Sequence, residues 1–186
     1  MITVLYARRD SIYKTLPGFD VYDADRDALT WRGGTPVIAH PPCRMWGRLR
    51  NFSKPVPGEK SLALHAVHMV QTYGGVLEHP ANSMLWKTCE LPQPGEHDRF
   101  GGWTFPIHQY WWGHRACKST WLYIVGVRPA QVPDMPMLLG HAPCVVENSS
   151  QSLNKKPVIS KKEREATPPD LAVWLGDLAS RVLLPA

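Results

Sequence analysis

A thiol and a carboxylate stand where two short apolar runs end. Cys43 follows "TPVIAHPP" (35–42), and Glu78 lies inside "VLEHP" (76–80). Prolines restrict the backbone at both places, which holds whatever chemistry they carry in a fixed geometry. A thiol beside a carboxylic acid suits attack on an electron-poor ring. In a pyrimidine, a thiolate adds at C6 while the acid hydrogen-bonds or protonates N3, and C5 then becomes nucleophilic. Cys43 is the candidate nucleophile and Glu78 the candidate acid. Arg44, Arg48 and Arg50 follow the thiol closely. Cations there are expected to lower its pKa and to hold phosphates. Taken singly, a cysteine is most often core and a glutamate beside proline most often surface; the pair, each just after a strand, carries the expectation.

The surrounding pattern must position these groups. "ITVLYA" (2–7), "FDVYDAD" (19–25), "TPVIAH" (35–40) and "VLEHP" (76–80) read as strands, and "DSIYKTL" (10–16) as a short helix ended by Pro-Gly. Residues 58–75 give the clearest helix, with Leu62, Ala66, Met69, Val70 and Tyr73 on one face and Gly74-Gly75 as its stop. "NSMLWKT" (82–88) reads as helical, capped by Asn82 or Ser83. A Pro/Gly-rich loop over 89–104 leads to two strands, "FPIHQYWW" (105–112) and "STWLYIVGV" (119–127), joined as a hairpin. Residues 128–165 show little periodicity, and "NKKPVISKKERE" reads as an exposed charged run. "TPPDLAVWLGDLASRVL" (167–183) reads as a last helix capped by Thr167, its face made of Leu171, Trp174, Leu175 and Leu178. Strands alternating with helices predict an α/β fold with a parallel sheet, whose sites form beyond the carboxyl ends of the strands. The length suits one domain over residues 1–186, with no internal repeat or linker.

Composition narrows the partners. A net charge of +5 with 8 tryptophans favours an anionic partner such as nucleic acid, by phosphate contact and stacking, although tryptophans also serve as core. No apolar run approaches a membrane span, and the N-terminal order of apolar then charged residues is wrong for a signal peptide, so a cytoplasmic protein is expected. The 4 cysteines have no C-x-x-C pair, and the H-x-E and P-C-x-x-C patterns of zinc deaminases are missing. His65 and His68 lie one helical turn apart without an obvious third ligand, so no metal is expected.

The order "PPC", "LEHP", "GHRACKSTWLYIVG" resembles the cytosine-C5 DNA methyltransferases, with their Pro-Cys, Glu-Asn-Val and Gln-Arg-x-Arg motifs. "REATPPDLA" (164–172) is similar to a later Arg-x-x-Thr-Pro segment of that family. Small phage and prophage relatives are more similar still, through a Gln109, Trp112, Gly113, His114, Lys118, Thr120 segment. The resemblance covers residues 36 to 172. It implies a Rossmann-like, methyltransferase-type fold: a mostly parallel sheet, helices on both faces and one antiparallel hairpin. It also implies Cys43 as nucleophile, Glu78 as the acid at N3 and Arg115 as the arginine holding the pyrimidine. Pro42, His79 (in place of the family's Asn), Gln109, His114 and Lys118 are expected beside the substrate, which is DNA or a pyrimidine nucleotide, in the host cytoplasm if the chain is phage-encoded.

The cofactor half departs from the family. "YARRDSIYKTLPG" replaces the Gly-rich loop that receives S-adenosylmethionine, the interval to Cys43 is too short for the usual third strand, and the large target-recognition domain has no counterpart. Asp23 or Asp25, ending the second strand, remain candidates for a ribose. Weak or absent S-adenosylmethionine binding is expected. Two other functions fit the same residues: a catalytically degenerate nucleic-acid-binding or anti-restriction module, which needs no thiol, and an enzyme acting on free pyrimidine nucleotides.

Overall fold

The computed structural model describes residues 1–47, 50–54, 56–147 and 156–183. Three short strands come first: β1 (Ile2–Leu5), β2 (Phe19–Val21) and β3 (Val37–Ala39). Helix α1 (Glu59–Tyr73) crosses over to β4 (Gly75–Pro80), and α2 (Leu85–Thr88) follows. Strands β5 (Trp103–His108) and β6 (Ser119–Val125) form the hairpin, and α3 (Lys161–Glu165) and α4 (Pro169–Ser180) complete the chain. The sheet order is β2-β1-β3-β4-β6-β5. The first four strands run parallel, and β6 pairs antiparallel with both β4 and β5.

Alternation along each strand divides the core in two. Val4, Ile38, Val76, Leu122 and Ile124 pack against Leu171, Leu175 and Leu178 of α4. Leu5, Val37, Ala39, Leu77 and Tyr123 pack against Ala63, Ala66, Val67 and Val70 of α1. Helices therefore cover both faces, as burial of a largely parallel sheet requires.

Several elements differ from the sequence expectation. The buried stripe of α1 is centred on Ala63, Ala66, Val67 and Val70, whereas Leu62 is only half-buried. Small residues face the sheet because the backbone lies close to it. "FPIHQYWW" is not one strand: it leaves the sheet at His108, and Gln109–Trp112 form a 3₁₀ turn ended by Gly113 at φ 85°. Thr167 does not cap α4, which starts at Pro169 after Pro168; a first-turn proline has no N–H to satisfy, so the hydroxyl is not needed. The charged run contains α3, because the Ser160 hydroxyl accepts the Glu163 N–H at 3.2 Å. Neither expected cap holds the N-cap position of α2, which is Met84, but the Ser83 Oγ accepts the Leu85 N–H at 3.0 Å.

The junction of α1 and β4 is tight. Gly75 pairs with Val37 at φ 121°, and a Cβ there would stand 2.0 Å from the Val37 carbonyl oxygen. Only glycine allows β3 and β4 to approach in this register.

Candidate active site

Strand register brings the chemistry together. Ala39 pairs with Leu77, so His40, just past the end of β3, and Glu78, within β4, are the next neighbours. Both continue the face occupied by Ile38 and Val76, and Tyr13, buried in the 3₁₀ turn after β1, lies on that side too. The His40 Nδ1 is 3.0 Å from Glu78 Oε2, and its Nε2 is 3.2 Å from the Tyr13 hydroxyl. From the hairpin, Gln109 Nε2 donates to Glu78 Oε1 at 2.8 Å and contacts the Thr120 hydroxyl at 3.1 Å. Lys118 Nζ stands 3.9 Å from the same Oε1.

Burial by itself pushes the Glu78 carboxyl up. The Lys118 charge, the His40 hydrogen bond and the electrostatic influence of the His40 and His79 rings more than reverse it, holding Glu78 at about 2. Glu78 is thus an ionised, accept-only group at neutral pH. The thiol of Cys43, three residues beyond His40, feels the same groups. Its pKa is raised, first by desolvation and then by the Glu78 charge, while Lys118 pulls it down. Cys43 as a residue is exposed at the loop surface, while its thiol is partly desolvated.

Arg44 and Arg50 do not play the part expected of them at the thiol. Arg44 pairs with buried Glu59 at 2.7 Å, Arg50 is exposed and donates to the Gly47 carbonyl at 3.4 Å, and Arg48 lies outside the described residues. The pKa of Cys43 is raised where a lowered one was expected, because desolvation and then the Glu78 charge outweigh the cation acting on the thiol, which is Lys118. Iodoacetamide should therefore alkylate Cys43 slowly at pH 7. Glu78→Gln should speed it by removing the negative charge, as peptide mass spectrometry over a time course will show; an unchanged rate would mean that the two groups do not interact.

The remaining expected residues are distributed as follows. Pro42 lies in the loop that carries Cys43, half-buried. Arg115 is exposed and engaged elsewhere, with Nη2 3.1 Å from Cys144 Sγ and Nε 3.4 Å from Glu163; Lys118 is the hairpin cation at Glu78. His79 points to the opposite face from Glu78, across from Trp121, where both its ring nitrogens are buried without a partner; burial lowers its pKa to about 4. His114 is buried and folds onto its own turn, its Nδ1 3.0 Å from the Ala116 amide nitrogen. Asp23 is bound to Lys14 and accepts the N–H groups of Asp25 and Arg26, both at 2.9 Å, while Asp25 pairs with Arg9 at 2.7 Å. His65 Nδ1 is 2.6 Å from the Tyr6 hydroxyl. Among the described residues, no group of His, Cys, Asp or Glu is arranged to hold a metal, and no helix is long and apolar enough to cross a membrane. A surface hollow of about 490 Å³ lies elsewhere, beside α4, lined by Trp112, Trp174 and Asp177 among others.

His40 and Tyr13 were not singled out as functional by the sequence reading. The available signal was register: His40 precedes Pro-Pro-Cys as the last residue of its apolar run, and Glu78 closes the neighbouring run. Tyr13 carried no such signal, since an aromatic residue in a short helical turn is usually core.

In comparisons with known proteins, no family model, curated protein or solved structure matches the chain.

Proposed function

We propose that this protein is a pyrimidine-modifying enzyme of the cytosine-C5 methyltransferase type, acting on DNA or a nucleotide through covalent addition of Cys43 to C6 of the base. One observation carries the reading: the loop that follows β3 brings the Cys43 thiol under the influence of the Glu78 carboxylate on the neighbouring parallel strand, and that ionised carboxylate raises the pKa of the thiol. A mostly parallel sheet covered on both faces, with a hairpin at one edge, supports the Rossmann-like, methyltransferase-type assignment. In the reaction, the Cys43 sulfur bonds to C6 and the C5–C6 π electrons move to C5. Glu78 faces the N3 edge of the ring, and Lys118 and Gln109 hold the carboxylate in place.

The reading routes no step through S-adenosylmethionine. Where the family's glycine loop would begin, Tyr6 adopts φ 61° and its hydroxyl is bonded to His65. Asp23 and Asp25 are committed to Lys14, Arg9 and local backbone. With these groups engaged by the chain's own residues, the reading assigns them no cofactor contact and leaves the donor group unassigned.

Addition at C6 has a donor-independent signature. The adduct takes a deuteron at C5 from D₂O, loses the original C5 proton and expels the thiolate, returning the base with C5–D. Incubation in D₂O with a cytosine-containing oligonucleotide, and separately with free cytidine and uridine nucleotides, should label C5 with the wild-type protein and not with Cys43→Ser, as read by nucleoside mass spectrometry. The substrate that is labelled decides between polymer and nucleotide. Oligonucleotide binding without exchange on any of them would replace the enzyme with a binding module.

A further inference from the structure

We propose that Tyr13 and His40 form a buried positioning chain that orients the Glu78 carboxylate and keeps the proton it shares with the substrate on the ring nitrogen. This rests on the reading above. The geometry is continuous: Tyr13 hydroxyl to His40 Nε2 at 3.2 Å, then His40 Nδ1 to Glu78 Oε2 at 3.0 Å. The direction of donation follows from what each group can do. An ionised carboxylate only accepts, so Nδ1 must carry a proton. Tyr13 is buried, and burial keeps its phenol protonated. In the chain proposed here the hydroxyl hydrogen points at Nε2 and the ring is the Nδ1–H tautomer. The other carboxylate oxygen is held from the opposite side by Gln109. Both oxygens are thus fixed by side chains from different elements, and the carboxylate cannot rotate away from the base.

Orientation has a chemical consequence. A carboxylate held at about 2 is a poor proton acceptor. A proton lying between it and cytosine N3 resides on N3, and a ring protonated there accepts the thiolate more readily. The balance closes without a further reactant: Cys43 gives up its proton as the S–C6 bond forms, N3 gains one through solvent, and elimination reverses both. The titratable groups acting on Glu78 are Lys118 from the hairpin, His40 from β3's end and, through the strand, His79; Glu78 in turn acts on the Cys43 thiol.

The test compares His40→Phe, His40→Asn and Tyr13→Phe with the wild type, each confirmed folded by circular dichroism. His40→Phe should move the acid limb of the C5-exchange profile up by about one to two pH units, the size of one hydrogen bond to a charged group. His40→Asn, whose amide can donate to Oε2, should restore most of that shift. Long-range ¹⁵N–¹H spectra should show His40 with its proton on Nδ1 in the wild type and a mixture of tautomers in Tyr13→Phe. A wild-type His40 protonated on Nε2 alone overturns the chain, whatever the activity. Exchange with an unmoved profile in His40→Phe overturns the positioning role while leaving the pyrimidine reading intact. A wild type that exchanges no base sinks the pyrimidine reading and, with it, the ring-proton role.

Discussion

Gly75→Ala is expected to destabilise the fold by about 4 kcal/mol or more, the range reserved for backbone clashes and strain combined. The added Cβ would lie 2.0 Å from the Val37 carbonyl oxygen and 2.7 Å from the Val37 nitrogen, and both are backbone atoms that cannot rotate away. The residue must also hold φ 121°, which an L side chain resists. Relief requires β4 to slide or separate from β3, and that pairing is what sets His40 beside Glu78. Gly34→Ala is the control. Gly34 has φ 100° but open space around its Cβ position, so its cost should be strain alone, about 1–3 kcal/mol. Urea denaturation of the two variants measures both. Equal midpoints would show that the close approach at Val37 is not a constraint.

Acid should weaken the protein through Glu78. Folding lowers the pKa of this carboxyl from 4.5 to about 2, so the unfolded chain binds its proton more tightly than the folded one. The contribution is complete above pH 4.5 and is lost as pH falls towards 2. A shift of this size corresponds to about 3 kcal/mol. Glu78→Gln should flatten that part of the stability–pH curve. At pH 7 the variant should also be less stable by about 3–5 kcal/mol, since it leaves Lys118 without its buried partner. Denaturant midpoints collected between pH 2 and pH 7 give both quantities. A parallel curve for wild type and Glu78→Gln would mean that Glu78 titrates alike in both states.

The legible part of this molecule was its alternation of strands and helices up to β4. Apolar runs closed by Pro and Gly mark strands sharply, because those residues break pairing. The hairpin was recognisable as two apolar segments, but its end at His108 was not. "QYWW" has strand-like composition, and only the burial of the Gln109 amide against Glu78 and Thr120 draws the chain into a turn. Cys43 and Glu78 could be proposed as partners because each stands where a short apolar run ends. The cation beside them could not be chosen correctly. Three arginines near the thiol in sequence looked stronger than one lysine on a distant hairpin, yet Arg44 is drawn to Glu59 and Lys118 to Glu78. Sequence proximity does not order electrostatic partners once a sheet brings remote segments together.

The parallel pairing of β3 with β4 also has a bearing on the order of assembly. The crossover that joins the two strands contains α1, and the hairpin brings Gln109 and Lys118 from still farther along the chain. Contacts this remote form late and slowly. A nascent or refolding chain therefore carries Cys43 as an ordinary thiol and acquires its perturbed environment only at the final docking step. The reactivity of this one sulfur is in that sense a built-in clock for the completion of the sheet, readable by pulsed alkylation during refolding.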